Sequence, residues 1–409
     1  MPAPLSPADV RFDWPGLRLP AFLIVDDPAP CLNLAHYEQY FEPHVRDVPN
    51  AFTAAWADLI AEFGVRGKFS VLPVPAGIGR IDRPLPGVPE PDRREFLRIV
   101  RERVSPQMDT CIEFLTHFLA WDIQQERPLD YTEKTMGPFT NRDHLTRYFA
   151  YGLHILHALG LNPTGATSPG YACMDIESDY QAAIREAVRA VTGNSIAWYF
   201  LHVDTRSPVV LPRIMSLDAE RGEACVAMIS AGSDPSWNTQ FGQPSELNRL
   251  ITADGQSGRL VTLFQNRSVI SFHTHWQSLF SEGQWTGLQD LRILLKRIRE
   301  HFGARILWMK CSELARYVVA QATTRVTITP KPASVEIMLH ATVACPMFTV
   351  RVAIPQPVQQ ILVGGVPLRA LPGTRTTMEA GSWQQENGEA VWCADLTPGA
   401  TSVVLEWKS

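Results

Sequence analysis

Two adjacent carboxylates, Asp26 and Asp27, close the apolar run Ala21-Phe-Leu-Ile-Val, and His117, His202, Asp204, His273 and His275 stand at the ends of later runs. Carboxylates and imidazoles are the side chains of proton transfer and of metal ligation, so their recurrence at the ends of separate runs marks a candidate site. The first run, bounded by Pro20 and Pro28, reads as a strand buried on both faces of a parallel sheet. In α/β folds ligands bind at the carboxyl ends of strands, and a barrel brings those ends together on one face. Successive strand side chains point to opposite sides, so Asp26 and Asp27 cannot both face the core unpaired. Unpaired buried charge is expensive; the alternative is that one acid caps the next element while the other is solvated. His144, His154 and His157 share an amphipathic helical stretch and read as surface or capping residues.

The elements that position these residues alternate. Pro49 to Phe63 has helical apolar spacing and stops at Gly64, and Val65 to Leu72 reads as the next strand, giving a βαβ unit and a parallel pair. A Pro- and Gly-rich loop, Val74 to Pro91, follows at a strand's carboxyl end. Next come a helix to about Val104, a strand Thr110 to His117, a helix Phe139 to Leu159, a small-residue segment Thr164 to Tyr171 and a helix Asp179 to Val191. Ile196 to Asp204 is again strand-like, Ser207 to Leu263 carries the weakest signal, and Ser268 to Trp276 is a strand with two histidines at its end. Leu288 to Phe302, Ile306 to Met309 and Cys311 to Ala322 read as helix, strand and closing helix. From about Thr323 short alternating strands are separated by Pro and Gly turns, the signature of an antiparallel sandwich.

With 409 residues the chain accommodates a barrel of about 250 residues and a smaller module. Hydrophobic residues make up 45% of it and 11 are Trp, enough for a large core. A net charge of −5 with scattered Lys and Arg leaves nucleic-acid binding without an electrostatic footprint. The seven cysteines form no C-x-x-C pair and leave one over, which argues against a disulfide framework or a zinc knuckle; they read as small buried hydrophobes. The opening Met-Pro-Ala-Pro-Leu-Ser-Pro has neither the basic start nor the apolar stretch of a leader, and no run is long enough to span a bilayer. A soluble, cytoplasmic protein without a membrane partner is the expectation.

In order and shape the chain resembles the polysaccharide deacetylases, carbohydrate esterases built on an irregular β/α barrel. Val25-Asp26-Asp27 is similar to that family's opening T-F-D-D-G motif, in which the first acid is the general base and the second binds a divalent metal. Gly67-Lys-Phe-Ser-Val71 resembles its second strand, and Thr116-His117 the start of its histidine motif. Thr167-Ser-Pro169-Gly-Tyr171 resembles its R-x-P-Y groove motif, and Ile270-Ser-Phe-His273 its late L-x-I-H motif, whose histidine is the general acid. Trp308 to Tyr317 is similar to the closing helix of related barrels, so the resemblance covers about residues 20 to 320.

The resemblance implies an irregular (β/α) barrel of the deacetylase type over residues 1–322, and the change of rhythm adds a C-terminal antiparallel β-sandwich over 323–409. It implies a metal-dependent hydrolase that removes acyl groups from an N- or O-acetylated carbohydrate or similar amide, with zinc as the divalent metal. Asp27 and His117 would hold the ion, Asp26 would be the base, and His273 or His275 would protonate the leaving amine. Tyr171, Trp121 and Trp276 are placed against a sugar. Three departures stand out: Pro28 replaces the glycine after the acid pair, the groove arginine is absent, and Trp121 occupies the place of the second histidine, four residues after the first. Asp122 is therefore placed as the third ligand, with His202 or His275 as substitutes. Two other readings remain open. One is a glycoside hydrolase pairing Asp26 or Asp27 with Asp204 or Asp122; the other is a catalytically inactive barrel that binds carbohydrate.

Overall fold

A computed structural model describes residues 5–33 and 45–408; residues 1–4, part of the segment read as carrying no leader, lie outside them. Strand β1 (Leu19–Asp26) is buried along its whole length, as its apolar run predicts. Ala21, Leu23 and Val25 enter a large core with the helix Asn50–Phe63, while Phe22 and Ile24 enter a second core from the opposite face. That helix ends at Gly64, whose φ of +63° closes it in the left-handed conformation glycine tolerates. Strand β2 (Gly67–Val71) then pairs parallel with β1. The approach is so close that a Cβ on residue 67 would lie 1.9 Å from the Leu23 carbonyl oxygen.

Seven more strands complete the sheet: β3 (Met108–Glu113), β4 (Gly165–Thr167), β5 (Ile196–Val203), β6 (Arg213–Asp218), β7 (Glu223–Ser230), β8 (Ile270–His275) and β9 (Ile306–Trp308). Their order is β6-β7-β5-β4-β3-β2-β1-β8, with β9 also on β1, and all neighbours are parallel except β6 and β7. The sheet curls until β8 meets the far end of β7. Ser271 Oγ donates to the Ile229 carbonyl and accepts from the Ala231 N–H, both at 2.9 Å, and the His273 N–H reaches the Gly232 carbonyl at 3.2 Å. The result is an irregular α/β half-barrel. Its last helix, Cys311–Thr323, packs in one cluster with Trp198, Phe200 and Val226 of the sheet and with Val335, Ile337 and Val350 beyond it.

Those last residues belong to two five-stranded sheets, antiparallel except for the two-residue pairing of Arg369–Ala370. The N-terminal strand Val10–Asp13 joins one of them against Cys345–Ala353, a long-range pairing that local periodicity does not reveal. The region of weakest sequence signal contributes β6, β7 and the turn that carries Asp234. The same region forms a single helical turn, Leu247–Leu250, preceded by the Glu246 N–H donating to the Pro235 carbonyl at 2.8 Å and ended at Ile251, which is already extended. All seven cysteines are buried and free. Among the described residues no helix is long and apolar enough to cross a membrane.

Candidate functional site

The period of two along each strand decides which side chains share a face. Phe22, Ile24 and Asp26 alternate onto one face of β1, and across the sheet Lys68 and Ser70, then Cys111 and Glu113, do the same. Lys68 is fully buried; its ammonium pairs with the Asp26 carboxylate and donates to Thr167 Oγ1 at 2.6 Å and to the Ser70 hydroxyl. It also lies 5.1 Å from the centre of the Phe200 ring, a cation–π contact. Burial works against this charge most strongly, but the Asp26 carboxylate together with the nearby Cys111 and Glu113 raises the lysine above its ordinary value. Lys68 thus supplies a buried cationic partner to the first acid.

Alternation would send Asp27 away from this face. Instead Asp27 has a φ of +68°, a left-handed conformation that aspartate adopts more readily than most residues, and its side chain turns back beside the site. His117 (φ +53°) and Phe114 (φ +40°) are held in the same region. Such residues persist only where their surroundings over-determine them, and they cluster at functional sites. The Asp27 N–H donates to Glu113 Oε2 at 2.8 Å and Gln277 Nε2 donates to Asp27 Oδ2 at 2.9 Å. His117 stands between the two acids, with Nδ1 3.3 Å from Asp27 Oδ1 and Nε2 3.4 Å from Glu113 Oε1. Asp27, Glu113 and His117, all buried, each offer one ligand atom within 4.8 Å of the others.

One nitrogen and two carboxylate oxygens, clustered and buried, are a donor set that fits a divalent cation. Charge points the same way. Asp26, Asp27 and Glu113 are three buried acids facing one buried ammonium, and the two negative charges left over match a divalent ion. Without that ion, burial first and the charges of Asp27 and Asp26 next push Glu113 well above the usual carboxylate range.

His117 is not the last residue of a continuous strand, as expected from the sequence: β3 ends at Glu113. The chain beyond it is gathered by Glu133, a fully buried carboxylate that accepts the N–H groups of Leu115 (2.8 Å), Thr116 (3.1 Å) and His117 (2.7 Å) and the Tyr148 hydroxyl (2.7 Å). Burial pushes Glu133 up to about 7 against these four donors. Three N–H groups aimed at one carboxylate fix the turn that presents the imidazole. Glu133→Gln, which replaces an acceptor by an amide with a donor edge, is expected to weaken divalent-ion binding by about 10–100-fold, as loss of an outer-shell partner does elsewhere. Titration calorimetry of the metal-free protein checks it.

On the other flank, β8 pairs with β1 so that His275 lies opposite Asp26 and His273 opposite Ile24. Asp234, buried, accepts from His275 Nδ1 at 2.9 Å, from the His275 N–H at 3.0 Å and from Ser278 Oγ at 2.8 Å. Burial opposes protonation of His275, but Asp234, then Asp27 and Asp26, raise it above its ordinary value. His273 lies 2.9 Å from Ser230 Oγ through Nδ1, and burial followed by the charge of His275 lowers it to about 4. A cavity of about 380 Å³, lined by Ser233, Asp234, Trp237, Arg249 and the two histidines among others, opens beside them. That volume is of small-molecule size, and most of the residues lining it carry polar groups.

Of the residues expected from the sequence, Asp26, Asp27, His117, His273 and His275 come to this one end of the half-barrel. Asp122 does not reach the ligand cluster: its Oδ1 caps a hairpin turn, accepting the N–H groups of Gln124 (2.9 Å) and Gln125 (3.0 Å), and Glu113 stands among the ligands instead. His202 is tied to Glu177 at 2.6 Å, and Asp204 caps the turn at Arg206 and Ser207. Trp276 has no exposed surface; it packs on Phe52, Trp56 and Phe69 and donates to the Ala29 carbonyl, so it cannot face a sugar. Trp121 is likewise buried in the main core. Tyr171 is 70% exposed on the turn after Thr167.

Lys68, Glu113, Glu133 and Asp234 escaped the sequence reading. Two had a visible signal. Lys68 and Ser70 alternate with Phe69 and Val71, which places both polar residues on one face, and Glu113 precedes His117 by the same four residues that separate the two histidines of the deacetylase motif. Glu113 thus stands where the first histidine would, and His117 where the second would.

No family model matches the chain, and no curated protein is significantly similar in sequence. Among solved structures, the chain is similar to a provisionally assigned glycoside hydrolase/deacetylase from Parabacteroides distasonis (9% identity, 82% of each chain, TM-score 0.43). It is also similar to a CE4 family pseudoenzyme from Bacillus anthracis (10% identity, 70% of this chain and 65% of that one, TM-score 0.27). A third is an alpha-L-fucosidase isoenzyme from Paenibacillus thiaminolyticus (7% identity, 96% of this chain and 100% of that one, TM-score 0.26). The curled, mostly parallel sheet, with an acid pair closing its first strand, and the antiparallel sheets that follow it form an α/β half-barrel with a C-terminal antiparallel module.

Proposed function

We propose that this protein is a metal-dependent hydrolase that removes acyl groups from an N- or O-acetylated carbohydrate or a similar amide. The observation that carries the reading is the convergence of Asp27, Glu113 and His117 beside Asp26, itself paired with Lys68. When bound, a divalent ion supplies Lewis acidity toward the acyl carbonyl; the resemblance points to zinc as that ion. Asp26, held by Lys68, takes a proton from the attacking water. His275, whose protonated form Asp234 favours, would give a proton to the departing amine or alcohol as the bond to the acyl carbon breaks. His273, neutral near pH 7, positions rather than donates. The polar cavity beside His275 suits a hydroxylated substrate.

Asp122 and Asp204, the partners the glycoside hydrolase reading pairs with Asp26 or Asp27, cap turns of their own, which favours the deacylase reading. Metal analysis and a hydrolase assay on acetylated oligosaccharides and an aryl acetate test the proposal. The expected result is about one equivalent of bound divalent ion, activity lost on chelation, and activity restored when the ion returns. Hydrolysis that survives complete removal of metal, or protein that takes up none, would defeat it.

A further inference from the structure

We infer that this site is built for a harder divalent ion than zinc, of the manganese class, and that Glu113 sets the preference. The inference rests on the metal reading above and deepens it. The donor set is two carboxylates and one imidazole, from Asp27, Glu113 and His117. Carboxylate oxygens suit manganese and its neighbours, whereas each added imidazole favours zinc, copper and nickel.

The local structure keeps Glu113 in the oxygen-donor role. Its Oε2 accepts the Asp27 N–H at 2.8 Å, which leaves Oε1, 3.4 Å from His117 Nε2, turned toward the cluster. Gln277 occupies Oδ2 of Asp27 in the same way at 2.9 Å. Each acid therefore presents one oxygen with its other oxygen fastened, and neither is free to swing away in favour of a softer donor. Among the described residues no cysteine or second histidine joins the group.

Nitrogen and oxygen sites in general bind zinc more tightly than manganese, so the decisive quantity is the ratio of the two affinities and how it changes with the residue at 113. Metal-free full-length protein is titrated with manganese and with zinc against a competing chelator, for wild type and for Glu113→His. The substitution is expected to raise the zinc-to-manganese affinity ratio about tenfold or more. Glu113→Gln, which keeps the shape and removes the charge, covers the case in which the histidine variant does not fold; it should weaken manganese binding more than zinc binding. A ratio that stays level or falls in the folded variant overturns the inference and leaves the metal reading intact. A wild-type protein that binds neither ion defeats the metal reading itself, and the preference with it.

Discussion

Lys68→Met is expected to destabilise the folded protein by about 3–5 kcal/mol, the cost of leaving one member of a buried ion pair uncompensated. Lys68 has no exposed surface and Asp26 is 4% exposed, so water cannot take over when the ammonium is removed. The carboxylate would then sit beside Asp27 and Glu113 with no positive charge on the sheet beneath it, and Thr167 and Ser70 would lose their donor. The unfolding midpoint in urea reads the effect. A double-mutant cycle separates the pair from simple packing. Asp26→Asn combined with Lys68→Met removes both charges and should recover much of the loss, because two neutral groups of similar shape cost less than one orphaned charge. A single variant that unfolds at the wild-type midpoint would mean that the ammonium does not hold Asp26.

The second large effect falls on catalysis. Asp26→Asn is expected to lower kcat/KM by about 10²–10⁴-fold, the usual contribution of a positioned general base, while leaving the ion content near that of the wild type. Asparagine retains an oxygen for Lys68 but cannot accept the proton of the attacking water, and Asp26 is not in the Asp27–Glu113–His117 group. Activity within a few-fold of wild type would assign the base elsewhere. Loss of bound metal alongside activity would instead make Asp26 part of the ligand shell.

The fold was largely legible before the structure. A strand buried on both faces, a βαβ unit punctuated by Gly64 and a change of rhythm near Thr323 each follow from short-range patterns, and the half-barrel with its antiparallel sheets bears them out. Asp122 shows where that kind of inference stops. Its residue type suits a missing ligand, yet Gln124 and Gln125 fold back onto it and consume its carboxylate locally. Trp276 failed for a related reason: next to two site histidines in sequence, it begins a helix and turns into the aromatic core instead of the mouth.

Residue types and their two-residue rhythm were enough to say that acids and imidazoles end the strands of a parallel sheet, because side-chain alternation and apolar burial are local properties of the chain. Which of them meet was settled only in three dimensions. Asp27 and His117 come together through left-handed backbone angles, and Glu133 fixes the turn of His117 from sixteen residues away. Lys68 balances Asp26 across neighbouring strands, forty-two residues apart. Charge compensation and the turning of a chain after its last paired residue depend on neighbours distant in sequence, and no local pattern encodes them.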